Sequence, residues 1–213
     1  MPKPKPTDVI RDALWKNNPV TVQILGICST LAVTNIFLNT LIMGLGLIFA
    51  TAFSALTISW MRNIIPPRVR MMVQTLVIAV YVVIVDIVLK AYVPDISKAL
   101  GPYVGLIITN CIVMGRLEAF ASSNKPGLAF LDGIMSGIGY SYVLLVIAFV
   151  RELLGFGTIL GFAVMDPLMK ALGSSEGWVQ WAFMIMAPGG FFMLASYIWI
   201  ANNISTLKIS HSK

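Results

Sequence analysis

The sequence predicts an all-α integral membrane protein of six transmembrane helices, arranged as an inverted 3+3 repeat in which two short or broken helices carry Cys28 and Cys111. Three observations lead there. Hydrophobic residues make up 58% of the 213 and charged residues only 11%, against about 25% charged in soluble domains. So few charges cannot cover a water-soluble fold, whereas a bilayer replaces the polar surface. Apolar runs of membrane-spanning length recur along the chain, a spanning helix needing about 20 residues. Two shorter runs, each opened by a proline, place one cysteine at a similar depth.

The chain begins with Pro2, Lys3, Pro4, Lys5 and Pro6, then a mixed stretch with Asp8, Arg11 and Asp12. It lacks the order of basic region, apolar core and small-residue cleavage site of a signal peptide, so residues 1–18 are expected to stay on the chain, on the cytoplasmic side. Asn17 and Asn18 precede Pro19, a capping residue ahead of proline in the first turn, and open the first short segment, Pro19 to Thr34. Its Gln23, Cys28, Ser29 and Thr30 stand where a lipid-facing helix has Leu or Val. Thr40 to Met61 and Val69 to Tyr92 are long enough to span, and Pro66 and Pro67 between them end one helix and permit the next. The second short segment, Pro102 to Gly115, again opens at a proline and carries Thr109, Asn110 and Cys111. Leu128 to Leu154 and Trp181 to Ile204 complete the set.

A single membrane domain, 1–213, therefore divides into a first repeat, 19–100, a second repeat, 101–204, and a tail, 205–213. Each repeat holds three segments, an odd number, so the second enters the membrane from the opposite side, as in transporters built from inverted repeats. With six crossings, Lys3, Lys5, Arg11, Lys16, Arg62, Arg68, Arg70, Arg116, Lys125, Lys208 and Lys213 fall on one side. Lys90, Lys98, Arg151 and Lys170 fall on the other, dividing the 15 basic residues unequally. The positive-inside rule places both termini in the cytoplasm. The net charge of +6 is thus an orientation signal, and no nucleic-acid partner is expected. The lipid bilayer is the partner that composition demands.

Chemistry has to lie within the membrane, because the longest loop, Gly155 to Gln180, is too small for a catalytic domain. Cys28 and Cys111 sit midway along segments that approach the midplane from opposite sides. Free cysteines in helices are most often small buried hydrophobes. Here, however, Gly26, Ser29 and Thr30 flank one, and Gly105, Thr109, Asn110 and Gly115 flank the other, which permits close backbone approach. Thiolates suit iron–sulfur clusters, which take four of them. One chain offers two, so a cluster requires a partner subunit; a disulfide is the weaker option in a reducing cell. Intramembrane carboxylates are functional candidates because burying them is costly. Asp86 has Lys90 one turn away, so a local ion pair is its simplest reading. Asp132 is expected in a first helical turn, favoured by the dipole, and Arg151-Glu152 reads as an interfacial anchor. Gly133, Gly137 and Gly139 form a small-residue face suited to helix packing. There is no nucleophile–base pair or phosphate-binding loop.

The stretches Asn17-Asn-Pro, Gln23-Ile-Leu-Gly-Ile-Cys-Ser-Thr-Leu-Ala-Val-Thr34 and Leu106-Ile-Ile-Thr-Asn-Cys-Ile-Val-Met-Gly-Arg-Leu-Glu-Ala-Phe-Ala121, with Asp132-Gly133 and Arg151-Glu-Leu-Leu-Gly155, carry a family likeness. Over nearly its whole length the chain resembles the D-subunit family of the Na⁺-translocating NADH:quinone oxidoreductase and, more distantly, the E subunit of the Rnf complex. The resemblance implies a six-helix subunit of a translocating NADH:quinone reductase in the bacterial inner membrane, not catalytic alone. It pairs with a homologous E subunit in inverted orientation, within a complex that also contains A, B, C and F subunits. Cys28 and Cys111 match the family's two ligands to a 2Fe–2S cluster shared with that partner. NADH, FAD, FMN and quinone reach this chain only through other subunits. A rival is an ion-coupled secondary transporter, with Asp86 or Asp132 at the ion site; another is a scaffold subunit, in which neither cysteine matters.

Overall fold

A computed structural model of the chain describes residues 25–34, 36–92, 94–156, 158–159, 162–163 and 186–210. Its helices are α1 (Ile27–Val33), α2 (Phe37–Met61), α3 (Arg70–Tyr92), α4 (Pro94–Ile108), α5 (Cys111–Arg116), α6 (Pro126–Phe156) and α7 (Ala187–Ser210). A 3₁₀ turn, Pro67–Val69, leads into α3, and a π-helical turn, Leu117–Ala121, continues α5. After α6 the two-residue strands Thr158–Ile159 and Phe162–Ala163 pair antiparallel. The expected N-terminal segment 1–18, the Pro19 start of the first short segment, most of loop 155–180 and Trp181 lie outside the described residues.

Among the described residues, Phe37–Met61, Pro67–Tyr92, Tyr103–Ala121 and Pro126–Gly155 are long and apolar enough to cross a membrane. The chain is thus helical and of membrane type. Helix α7 has the length, but Gly189, Gly190, Asn202 and Asn203 dilute its apolar character. The second short segment differs from expectation. It does not begin at Pro102: α4 starts at Pro94 and runs through both Leu100 and Pro102. Asp95, Ser97 and Lys98 end the apolar run without ending the helix, and proline is tolerated inside membrane helices where neighbours satisfy the freed carbonyl. The division of the sequence at 100/101 therefore falls inside a helix, and the helical break lies instead at Thr109 and Asn110.

Helices α2 and α6 form the centre. They cross antiparallel on their small residues: a Cβ on Gly44 would meet Ser141, one on Gly137 would meet Ile48, and one on Gly133 would lie 3.0 Å from the Ala52 Cα. One sequence offset relates Gly44 to Gly133, Ile48 to Gly137 and Ala52 to Ser141, so the contacts at the two ends of the crossing are each other's images. Close backbone approach of this kind is how membrane helices gain packing energy when lipid is as apolar as they are. Ala50, Leu47, Tyr140, Leu144 and Ile147 are buried around the crossing. Helix α3 is peripheral, exposing Leu76, Val80, Val83 and Ile87. Gly133→Ala forces backbone against backbone and is expected to destabilise by about 1–3 kcal/mol, the usual cost of overpacking. Gly127, whose Cβ meets nothing within 4 Å, tolerates alanine. Thermal unfolding of the two purified variants in detergent checks the contrast.

Candidate functional site

The site grows from two interruptions of helix. Helix α1 starts after Gly26, which takes the left-handed conformation with φ 83°. Glycine adopts this without the steric cost borne by other residues. Its carbonyl accepts from Thr30 N at 3.2 Å, Thr30 Oγ1 at 2.8 Å and Tyr140 OH at 3.1 Å. Helix α5 starts at Cys111, capped by Asn110, whose Oδ1 accepts from Ile112 N at 3.1 Å. The two interruptions meet. Gly26 N–H donates to Cys111 Sγ across 3.3 Å, and Asn110 Nδ2 donates to Ser29 Oγ across 3.3 Å. Ser29, in turn, hydrogen-bonds the Tyr140 hydroxyl of α6.

Both cysteines are free; Cys111 is half-buried and Cys28, in the first turn of α1, is exposed. Among the described residues no three His, Cys, Asp or Glu side chains gather closely enough to hold a metal. What this chain presents is two free thiols on segments that meet at Gly26 and Cys111, soft donors only, one already receiving a backbone N–H and the other exposed. Two thiols fit half of a four-thiolate site and cannot complete one.

A family model described as Rnf-Nqr subunit, membrane protein, matches residues 7–198. The chain belongs to the Rnf-Nqr family. The D subunit of the Na(+)-translocating NADH-quinone reductase of Chlamydia trachomatis serovar L2 is 48% identical over 198 residues, covering 92% of this chain and 93% of that one. The protein of the same description from Pseudoalteromonas atlantica is 51% identical over 197 residues, with 92% and 91% covered. That from Psychromonas ingrahamii is 47% identical over 192 residues, with 90% and 89% covered.

In this Rnf-Nqr subunit each acidic candidate is held by a basic partner. Asp86 Oδ2 pairs with Lys90 Nζ at 2.5 Å along α3, beside a groove lined by Gly101, Val104, Gly105 and Ile108 of α4. Asp132 is not in a first turn, since α6 begins at Pro126. A partner other than the helix dipole holds it. Arg116 Nε donates to Asp132 Oδ2 at 3.0 Å and Arg116 Nη2 to Oδ1, so a two-pronged pair between a half-buried arginine and a buried carboxylate ties the end of α5 to α6. Sequence reasoning counted Arg116 only as a topology charge.

Arg151 and Glu152 are also corrected: both are buried, at 3% and 5% exposure, and do not anchor at an interface. Arg151 donates to Thr34 Oγ1 at 2.6 Å and to the Met186 carbonyl at 3.3 Å, at the end of α1. Glu152 Oε2 accepts from Phe37 N at 2.6 Å, at the start of α2. The pair satisfies backbone and hydroxyl groups exposed where the chain breaks between α1 and α2. In the link between the π-helical turn and α6, Arg62 donates to the Asn124 carbonyl at 2.9 Å and Ser59 Oγ to the same oxygen at 2.6 Å. Arg62 and Arg151 are related by the offset that relates the α2 and α6 contacts, so each long helix carries near its C-terminal end an arginine that bonds a connecting segment of the opposite half.

Proposed function

We propose that this chain is the D-type membrane subunit of a Na⁺-translocating NADH–quinone reductase of the bacterial inner membrane. In it, Cys28 and Cys111 supply two of the four thiolates of a 2Fe–2S cluster. A homologous subunit of E type, inserted in inverted orientation, supplies the others, and the A, B, C and F subunits bring the nicotinamide, flavin and quinone chemistry. The cluster provides one-electron transfer between the two sides of the membrane, coupled to Na⁺ movement. The carrying observation is the Gly26 N–H on Cys111 Sγ, a contact between residues 85 positions apart that draws the two cysteine segments together.

The chain's own residues do the rest. The Gly26 N–H delivers a hydrogen bond to a thiolate, a type of contact that holds clusters and sets their potentials. Asn110 starts α5 at the ligand, and the buried Arg151 and Glu152 satisfy the groups left open between α1 and α2 from within the protein, as hydrocarbon requires. Reciprocal contacts between α2 and α6 support an inverted repeat, and the reading takes that repeat as six crossings with both termini cytoplasmic. The subunit is not a catalyst by itself.

The test is electron paramagnetic resonance with iron and sulfide analysis of the purified complex, comparing wild type with Cys28→Ser and Cys111→Ser. A reducible signal lost in either variant is the expected result. Full iron and an unchanged signal in either variant, or no iron at this subunit pair in wild type, overturns the reading.

A further inference from the structure

We infer that Tyr140 is a positioning residue that fixes the two cysteines relative to one another and so sets the potential of the centre they hold. This inference rests on the cluster reading above. Tyr140 is fully buried on α6, an element that carries neither cysteine. Its hydroxyl contacts the first interruption directly and the second through Ser29. It donates to the Gly26 carbonyl at 3.1 Å and hydrogen-bonds Ser29, the residue following Cys28. Ser29 Oγ accepts from Asn110 Nδ2 at 3.3 Å, and Asn110 directly precedes Cys111. The neighbours of both cysteines are therefore joined through one phenol.

The ring acts as well as the hydroxyl. A Cβ on Gly26 would lie 2.7 Å from Tyr140 Cε2, so the ring fills the space that only glycine leaves. Held from behind by ring and hydroxyl, Gly26 keeps φ at 83° and its N–H on Cys111 Sγ. Outer partners that orient ligands are a general means of tuning a metal centre, and hydrogen bonds to sulfur stabilise the more negative, reduced state. Removing the phenol hydroxyl loosens both the Gly26 contact and the Ser29–Asn110 link, and the potential moves to more negative values.

The experiment is a redox titration of the cluster signal in the purified complex carrying Tyr140→Phe, with iron content measured on the same sample. The expected result is wild-type iron, an unchanged amount of signal and a midpoint displaced to more negative potential. Ser29→Ala, which removes the other side of the same hydrogen bond, moves it in the same direction. Wild-type iron with an unmoved midpoint in Tyr140→Phe overturns the inference and leaves the cluster reading standing. Failure of both variants to assemble also overturns it, since the network then serves folding alone. If serine at Cys28 and Cys111 leaves the iron in place, the cluster reading itself falls.

Discussion

Gly26→Ala is expected to destabilise the subunit by about 2–5 kcal/mol and to empty the cysteine site. Two costs add. A non-glycine residue held in the left-handed region loses about 1–2 kcal/mol, and Gly26 has φ 83°. The new Cβ would also lie 2.7 Å from both Ile112 Cδ1 and Tyr140 Cε2. Overpacking of this kind costs about 1–3 kcal/mol. Ile112 can turn its terminal methyl aside, but the Tyr140 ring is fixed by its hydroxyl bonds, so the relief comes from Gly26. Its N–H then leaves Cys111 Sγ. Unfolding midpoints and iron content of the purified complex check both consequences. Gly105→Ala is the control: its Cβ meets nothing within 4 Å, and the helical interior of α4 gains about 0.5–1 kcal/mol from alanine. Equal losses at the two positions would mean that the site is not built around Gly26.

Apolar length made the spanning helices legible. Helix α2 starts at Phe37, where the apolar run suggests Thr40, and α6 at Pro126, where it suggests Leu128. Both shifts follow from helices continuing into residues that hydropathy discounts, such as Asn39 and Gly127. The same blindness hid the first turns of α4, with Asp95 and Lys98. Glycine and proline signals were read for their average behaviour: Pro102 looked like a start and is interior, whereas Gly26, noted only as small, carries the one positive-φ glycine among the described residues. Charges were the least legible. Arg151 and Glu152 look interfacial because hydropathy cannot know that Thr34 and the Phe37 amide come to meet them. Tyr140, at the end of a glycine-rich run, gave no sign that its hydroxyl would find Ser29 and Gly26, since those partners lie more than a hundred positions away. Local pattern names the candidate cysteines, and only packing names what holds them.

Asp132→Ala is the second large effect. It leaves the Arg116 guanidinium, only 14% exposed, without its carboxylate. Breaking a buried pair by removing one partner costs about 3–5 kcal/mol, whereas replacing both partners by apolar residues of similar volume is often neutral or stabilising. The double variant Arg116→Met with Asp132→Leu is therefore expected to recover most of the loss, read as the thermal midpoint of the complex in detergent. Arg116 also lies 5.7 Å from the Phe120 ring centre, and methionine keeps contact with that ring. Recovery separates two roles that the single variant confounds. If Asp132 serves only to tie α5 to α6, the double variant regains Na⁺ transport together with stability. If its carboxylate handles the ion, stability returns and transport does not. A double variant no more stable than Asp132→Ala would show that the uncompensated guanidinium was not the source of the loss.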